Sequence, residues 1–123
     1  MPFSPWTNQN DLIDIIKLIE NYKLRETVDP IQLTIKLLIP KNSLILQRSE
    51  IKGYLKDYDK NSLSYMWDYK DEEVNKLQVS LFNYLLDTPD LDEHGQYLGM
   101  VKIIENMTQT NLISDLNYSY KNV

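Results

Sequence analysis

The chain has no cysteine, one histidine and only three glycines among its 123 residues. Without cysteine it can build neither a disulfide, nor a thiolate metal site, nor an iron–sulfur cluster from its own residues. Three scattered glycines exclude a Gly-rich phosphate loop, so neither a P-loop nor a GxGxxG pattern is present. With one histidine, the only nucleophile–base pair that can be assembled is a serine with His94, and no nucleophile elbow accompanies it. No apolar run reaches the roughly 18 residues that span a membrane. The N-terminus lacks the basic region of a signal peptide. Positive charge is scarce too: 13 Lys and Arg stand against 18 Asp and Glu, a formal net charge of -5. That balance argues against nonspecific binding to nucleic acid or to an anionic membrane. Together these absences describe a cytoplasmic protein.

What is present is ordinary for a globular domain: 42% hydrophobic and 25% charged residues, in a length that suits one domain. Pro2 and Pro5 make the opening Pro2–Trp6 extended, and Thr7 or Asn8 can cap a helix. Leu12, Ile15, Ile16, Ile19 and Tyr22 then recur with the helical period. Ile31, Leu33, Ile35, Leu37 and Ile39 alternate with Gln32, Thr34, Lys36 and Leu38, the period of a strand, which Pro40 ends. Strand, helix and strand with short connections predict one βαβ unit with parallel strands. On that strand Thr34 and Lys36 share a face.

Within Ser43–Tyr58, Ser43–Gln47 admits a short strand or the start of a helix, and Ser49–Lys56 a short helix interrupted by Gly53. Tyr58, Tyr65, Trp67 and Tyr69 predict an ordered loop folded onto the core. Asp71 is an N-cap candidate for a helix carrying Val74, Leu77, Leu81, Tyr84 and Leu85 and stopped by Thr88-Pro89-Asp90. A last helix is expected from about Gln96 to Met107, and a frayed tail from Asn117.

Few residues suggest chemistry. His94 beside Asp90, Asp92 and Glu93 reads either as a weak metal site or as an acidic turn capping the last helix. Glu72 and Glu73 suit a helix N-terminus better than acid–base work. The aromatics Tyr58, Tyr65, Trp67 and Tyr69 either stack on a ligand or bury their rings. Lys36 either meets a phosphate or carboxylate from inside a barrel, or is an exposed strand lysine.

The stretch "PFSPWTNQNDLIDIIKLIENYKLRETVDPIQLTIKLLIPKNSLIL", followed by "LKDYDKNSLSYMWDYKDEEVNKLQ", resembles a segment of radical S-adenosylmethionine (radical SAM) enzymes. The group in question has a short cysteine- or selenocysteine-containing (CUAEP/CCAEP) tail. Its pattern reads "PFTPWT", a helix, "VDPVQ", then a strand like "RLLVPPGSLLL". The resemblance runs from Pro2 to Leu85 and is most specific at Pro2–Thr7, Val28–Gln32 and Lys36–Ser43.

The resemblance implies an α/β fold: the end of a partial barrel over 1–46, then a mostly helical C-terminal extension over 47–116. The chain would be the cluster-less C-terminal part of such an enzyme, partnered by the upstream barrel half that supplies the [4Fe-4S] cluster and S-adenosylmethionine. Ser4, Trp6, Thr34 and Lys36 would contact cofactor or substrate as cavity walls, with no catalytic residue and no metal ligand in this chain. Departures from the pattern are clear. The CxxxCxxC cysteines and the cysteine-containing tail are absent, Lys36 stands for an arginine, and Lys41-Asn42 for Pro-Gly. The alternative is a free-standing small interaction domain without catalytic activity.

Overall fold

The first helix begins where the sequence supplies its cap. In the computed structural model, which describes residues 2–112, α1 spans Gln9–Asn21. Asn8 accepts from the Asp11 amide at 2.9 Å, and Asp11 accepts from the Asn8 amide at 3.0 Å. This reciprocal box satisfies two amides the helix leaves open. At the other end Leu24 N–H donates to Ile19 O and Lys23 N–H to Glu20 O. That is a Schellman closure with Lys23 in the left-handed region (φ 56°). Glycine takes this conformation without the Cβ penalty. Lys23→Gly is therefore expected to gain about 0.5–1 kcal/mol after the larger chain entropy of glycine is subtracted, read by urea unfolding.

The predicted strand over Ile31–Ile39 does not form. Residues Pro30–Thr34 make a 3-10 helix. Asp29 caps it through the Ile31 amide at 3.2 Å, and Pro30 sits where a missing N–H costs nothing. The turn buries Pro30, Leu33 and Thr34 and exposes Ile31, so the alternating apolar set never shares a face. Beyond it, residues 35–39 are extended. They meet the opening segment at one isolated parallel bridge, Phe3 to Lys36, made by Phe3 N–H to Ile35 O (3.3 Å) and Leu37 N–H to Phe3 O (2.6 Å). The opening is not a continuous strand either. Ser4-Pro5-Trp6-Thr7 is a turn, closed by Thr7 N–H to Ser4 O at 3.2 Å, with proline at its second position. The expected α/β partial barrel with a parallel βαβ unit is thus overturned: the fold is dominated by helix.

The sheet that does exist was expected to be a loop. A second 3-10 helix (Leu44–Gln47) and the one-turn α2 (Ser49–Lys52) lead into β1 (Leu55–Asp59) and β2 (Ser64–Trp67), an antiparallel hairpin. It pairs Leu55 with Trp67, Tyr58 with Tyr65 and Asp59 with Ser64, with an irregularity between Leu55 and Tyr58. The Asp59 carboxylate accepts from Asn61 N–H (3.1 Å) and Ser62 Oγ (3.0 Å), which fixes the turn.

α3 (Glu72–Asp87) and α4 (Glu93–Thr108) follow, capped by Asp71 and Asp92. Gly99 of α4 lies under the Tyr84 ring of α3, where a Cβ would stand 1.8 Å from the hydroxyl oxygen. One core cluster draws on residues from Phe3 to Leu112, with Phe3, Ile16, Ile39, Ile51, Leu77, Leu81, Met100 and Ile104 fully buried. Gln78 of α3 donates to Thr34 O at 3.1 Å and ties the first 3-10 helix to this core. No helix among the described residues is long and apolar enough to cross a membrane. The tail expected at 117–123, and the stretch 113–116 of the expected extension, lie outside the described residues.

Candidate functional site

Segment 35–39 runs beside β2 without forming a ladder with it. Three bonds hold the two together: Trp67 Nε1–H to Leu37 O (2.9 Å), Tyr65 N–H to Ile39 O (2.8 Å) and Ile39 N–H to Ser64 Oγ (2.8 Å). Where the ladder is missing, a cleft of about 220 Å³ opens, lined among others by Lys36, Leu38, Asp59, Met66 and Trp67. Its lining is largely apolar, and Leu38 and Met66 are exposed at it.

Lys36 is the one cation lining that cleft. Its Nζ lies 4.8 Å from the Trp67 ring centroid and 5.5 Å from that of Tyr69. The ring faces stabilise a cation but offer no ordinary hydrogen-bond acceptor. Among the described residues Lys36 has no hydrogen-bond or ion-pair partner. Burial pushes its pKa below the usual 10.5, and the nearby Lys56 ammonium lowers it further. Lys56 is itself held by Asp68 at 2.7 Å.

The wall behind Lys36 is aromatic and tight. Trp67 and Tyr69 meet edge to face at 4.7 Å, and Tyr69 meets Phe3 at 6.5 Å. The Tyr69 hydroxyl is buried without a hydrogen-bond partner. Burial raises its pKa above the ordinary tyrosine value of 10.0. The folded chain therefore keeps this proton at pH values where the unfolded chain has lost it. Stability from Tyr69 is fully present below pH 10 and is lost as pH rises past it. Lys36 acts in the opposite sense, since its burial penalty is relieved as it deprotonates. Tyr69→Phe is expected to gain about 1 kcal/mol at neutral pH by removing an unsatisfied hydroxyl. It should also flatten the alkaline loss of stability relative to the wild type, read as the urea midpoint across pH 7 to 11.

The four residues expected to line a common cavity do not converge. Ser4 holds its own turn, with its amide 2.8 Å and its hydroxyl 3.0 Å from Thr7 Oγ1. Trp6 packs edge-on against Tyr54 at 6.5 Å. It lines a separate, more polar cleft of about 350 Å³ with Thr7, Asn8, Lys70, Asp71 and Glu72. Thr34 is buried and bonds Ile31 O at 2.8 Å. Only Lys36 faces the cleft described above. His94 is exposed in the first turn of α4. Among the described residues no group of His, Asp or Glu could hold a metal ion. The residues present do not fit a [4Fe-4S] cluster, since the chain has no cysteine to bind one.

Sequence reasoning missed the role of Trp67 as both wall and strut. Four aromatics within twelve residues marked the region, and the short polar stretch Lys60-Asn61-Ser62 between two Tyr-bearing runs could have marked the hairpin. Comparison with known proteins gives no match: no family model fits the chain, no curated protein is similar to it, and no solved structure resembles it.

Proposed function

We propose that this chain is a non-catalytic binding module whose contact site is the cleft between segment 35–39 and β2. One observation carries the reading. Lys36 holds a half-buried positive charge in a largely apolar cleft and makes no salt bridge among the described residues. Burying a cation away from water without a counter-charge costs free energy, and a site that receives an anion recovers it. The cysteine-free composition suits the reducing cytoplasm as the place where such a module works. The test is a titration of the isotope-labelled chain with a mixed set of neutral, cationic and anionic small molecules, followed by amide NMR shifts. Saturable shifts should gather at residues 36–38 and 64–67 and vanish in Met66→Asp. Shifts gathered at the Trp6 cleft, or none anywhere, would overturn the reading.

A second reading rests on the radical SAM resemblance. There the chain adds cavity walls, and no iron–sulfur chemistry, to an enzyme whose upstream half holds the cluster and S-adenosylmethionine. The Phe3–Lys36 bridge favours it, because it joins two of the stretches with the most specific matches. It expects a CxxxCxxC-coding stretch upstream of the Met1 codon. An ordinary promoter and ribosome site there would count against it.

A further inference from the structure

We propose that the Lys36 cleft takes a small monocarboxylate with an apolar body, the carboxylate on Lys36 Nζ and the body against Leu38, Met66 and Trp67. The inference deepens the binding-module reading and rests on it.

Charge count sets the head group. Lys36 is the one cation of the lining, because the neighbouring Lys56 is engaged by Asp68 at 2.7 Å. Asp59 lines the same cleft. A single ammonium matches a single negative charge; Asp59, whose oxygens are taken up by Asn61 N–H and Ser62 Oγ in the hairpin turn, repels any anion, and a phosphate dianion about twice as strongly as a carboxylate. The ammonium brings three N–H donors, and the rings beneath it accept none of them in an ordinary hydrogen bond. A carboxylate accepts such bonds in their stronger, charge-assisted form.

Shape sets the body. At about 220 Å³ the cleft is smaller than the ~300–1,000 Å³ that drug-sized ligands occupy. Its walls offer Leu38, Met66 and Trp67, and the Ser64 hydroxyl is already bonded to Ile39 N–H at 2.8 Å and to Tyr65 O at 3.2 Å. Apolar surface with one charged point at its end selects an amphiphile over a sugar or a polyol. Methionine beside an aromatic wall adapts to differently shaped apolar groups.

The experiment uses the full chain and four probes: 4-phenylbutyrate, its neutral amide 4-phenylbutyramide, inorganic phosphate, and an acetylated dipeptide with a free C-terminal carboxylate. Amide NMR shifts give each affinity. The expected result is saturable binding of the acid at residues 36–38 and 64–67, with the neutral amide about tenfold weaker, the scale of one charge-assisted contact. Lys36→Met keeps an unbranched side chain one heavy atom shorter, without the charge, and should lower the acid's affinity to that of the amide. The comparison of acid and amide on the wild-type chain stands without the variant. Equal affinity for acid and amide would sink the monocarboxylate assignment and leave the binding-module reading intact. Tighter binding of phosphate or of the dipeptide would also overturn it, in favour of a dianion or of a peptide terminus. No shift at the cleft with any probe would sink both.

Discussion

Glu20→Ala is expected to cost about 3–5 kcal/mol. Glu20 is 1% exposed at the end of α1. Both its oxygens receive Arg25, through Nε at 2.7 Å and through a second, shorter contact from Nη2. The Arg25 side chain is only 8% exposed, and its guanidinium lies 5.8 Å from the Tyr97 ring centroid of α4. Removing the carboxylate takes two charge-assisted bonds from a guanidinium that lies largely out of water. A domain of this kind is stable by about 5–15 kcal/mol, so the loss is a large share of the total. The pair matters because it joins the end of α1 to α4 across the Schellman turn. Urea unfolding of Glu20→Ala, Arg25→Met and the double variant Glu20→Leu/Arg25→Met measures it. The double variant should recover much of the loss, since apolar side chains then replace the buried ion pair. A cost below about 1 kcal/mol for Glu20→Ala would place the pair with ordinary surface ion pairs.

Trp67→Ala is expected to cost about 3–5 kcal/mol, and Trp67→Phe about 1–2 kcal/mol. The gap between them separates two jobs. The ring fills space against Tyr69 and lies under Lys36, and phenylalanine keeps much of that. The indole N–H holds the Leu37 carbonyl at 2.9 Å, and phenylalanine loses it. That bond spans 30 residues and fixes one wall of the cleft to the other. Trp67→Ala should therefore abolish binding at the Lys36 cleft as well as lower stability. Trp67→Phe should keep a folded chain with weaker binding. Thermal unfolding by circular dichroism and the acid titration read the two effects on the same samples. A Trp67→Ala chain as stable as the wild type would show that the ring lies on the surface rather than in the core.

The helical part of the fold was legible because its signals are local. Asn8, Asp71 and Asp92 cap helices through side chains that reach only two or three residues along the chain. The apolar rows Leu12–Ile16–Ile19, Val74–Leu77–Leu81 and Tyr97–Met100–Val101–Ile104 repeat with the helical period and are buried together. Glu20 went unread for the opposite reason. Its burial depends on Arg25 folding back past a turn and on Tyr97 from another helix, and no periodicity marks that.

The candidate site was legible only in part. Lys36 stood out as a cation within an apolar run, and the aromatic group Tyr58 to Tyr69 stood out by composition. That these two features meet was not legible. Their union needs the hairpin to turn at Asp59–Ser62 and to present Trp67 to Leu37. Ser4, Trp6 and Thr34 parted from Lys36 because a turn and a 3-10 helix took the places of two expected strands.

By itself, the sequence determined three helices and the Asp71 cap, a net negative charge and the absence of thiolate chemistry, because each depends on composition or on neighbours a few residues away, while it left Thr7 and Asn8 as alternatives and began the last helix at Gln96 instead of Glu93. Only the tertiary structure decided the conformation of residues 30–39 and the environment of Lys36. Asp29-Pro30 can open a helical turn, while the alternation after it can form a strand. The helical turn prevails where it buries Leu33 and Thr34 and gives the Thr34 carbonyl to Gln78, 44 residues along the chain. Burial and a distant hydrogen bond outweighed the local pattern, and the segment left over became one wall of the cleft.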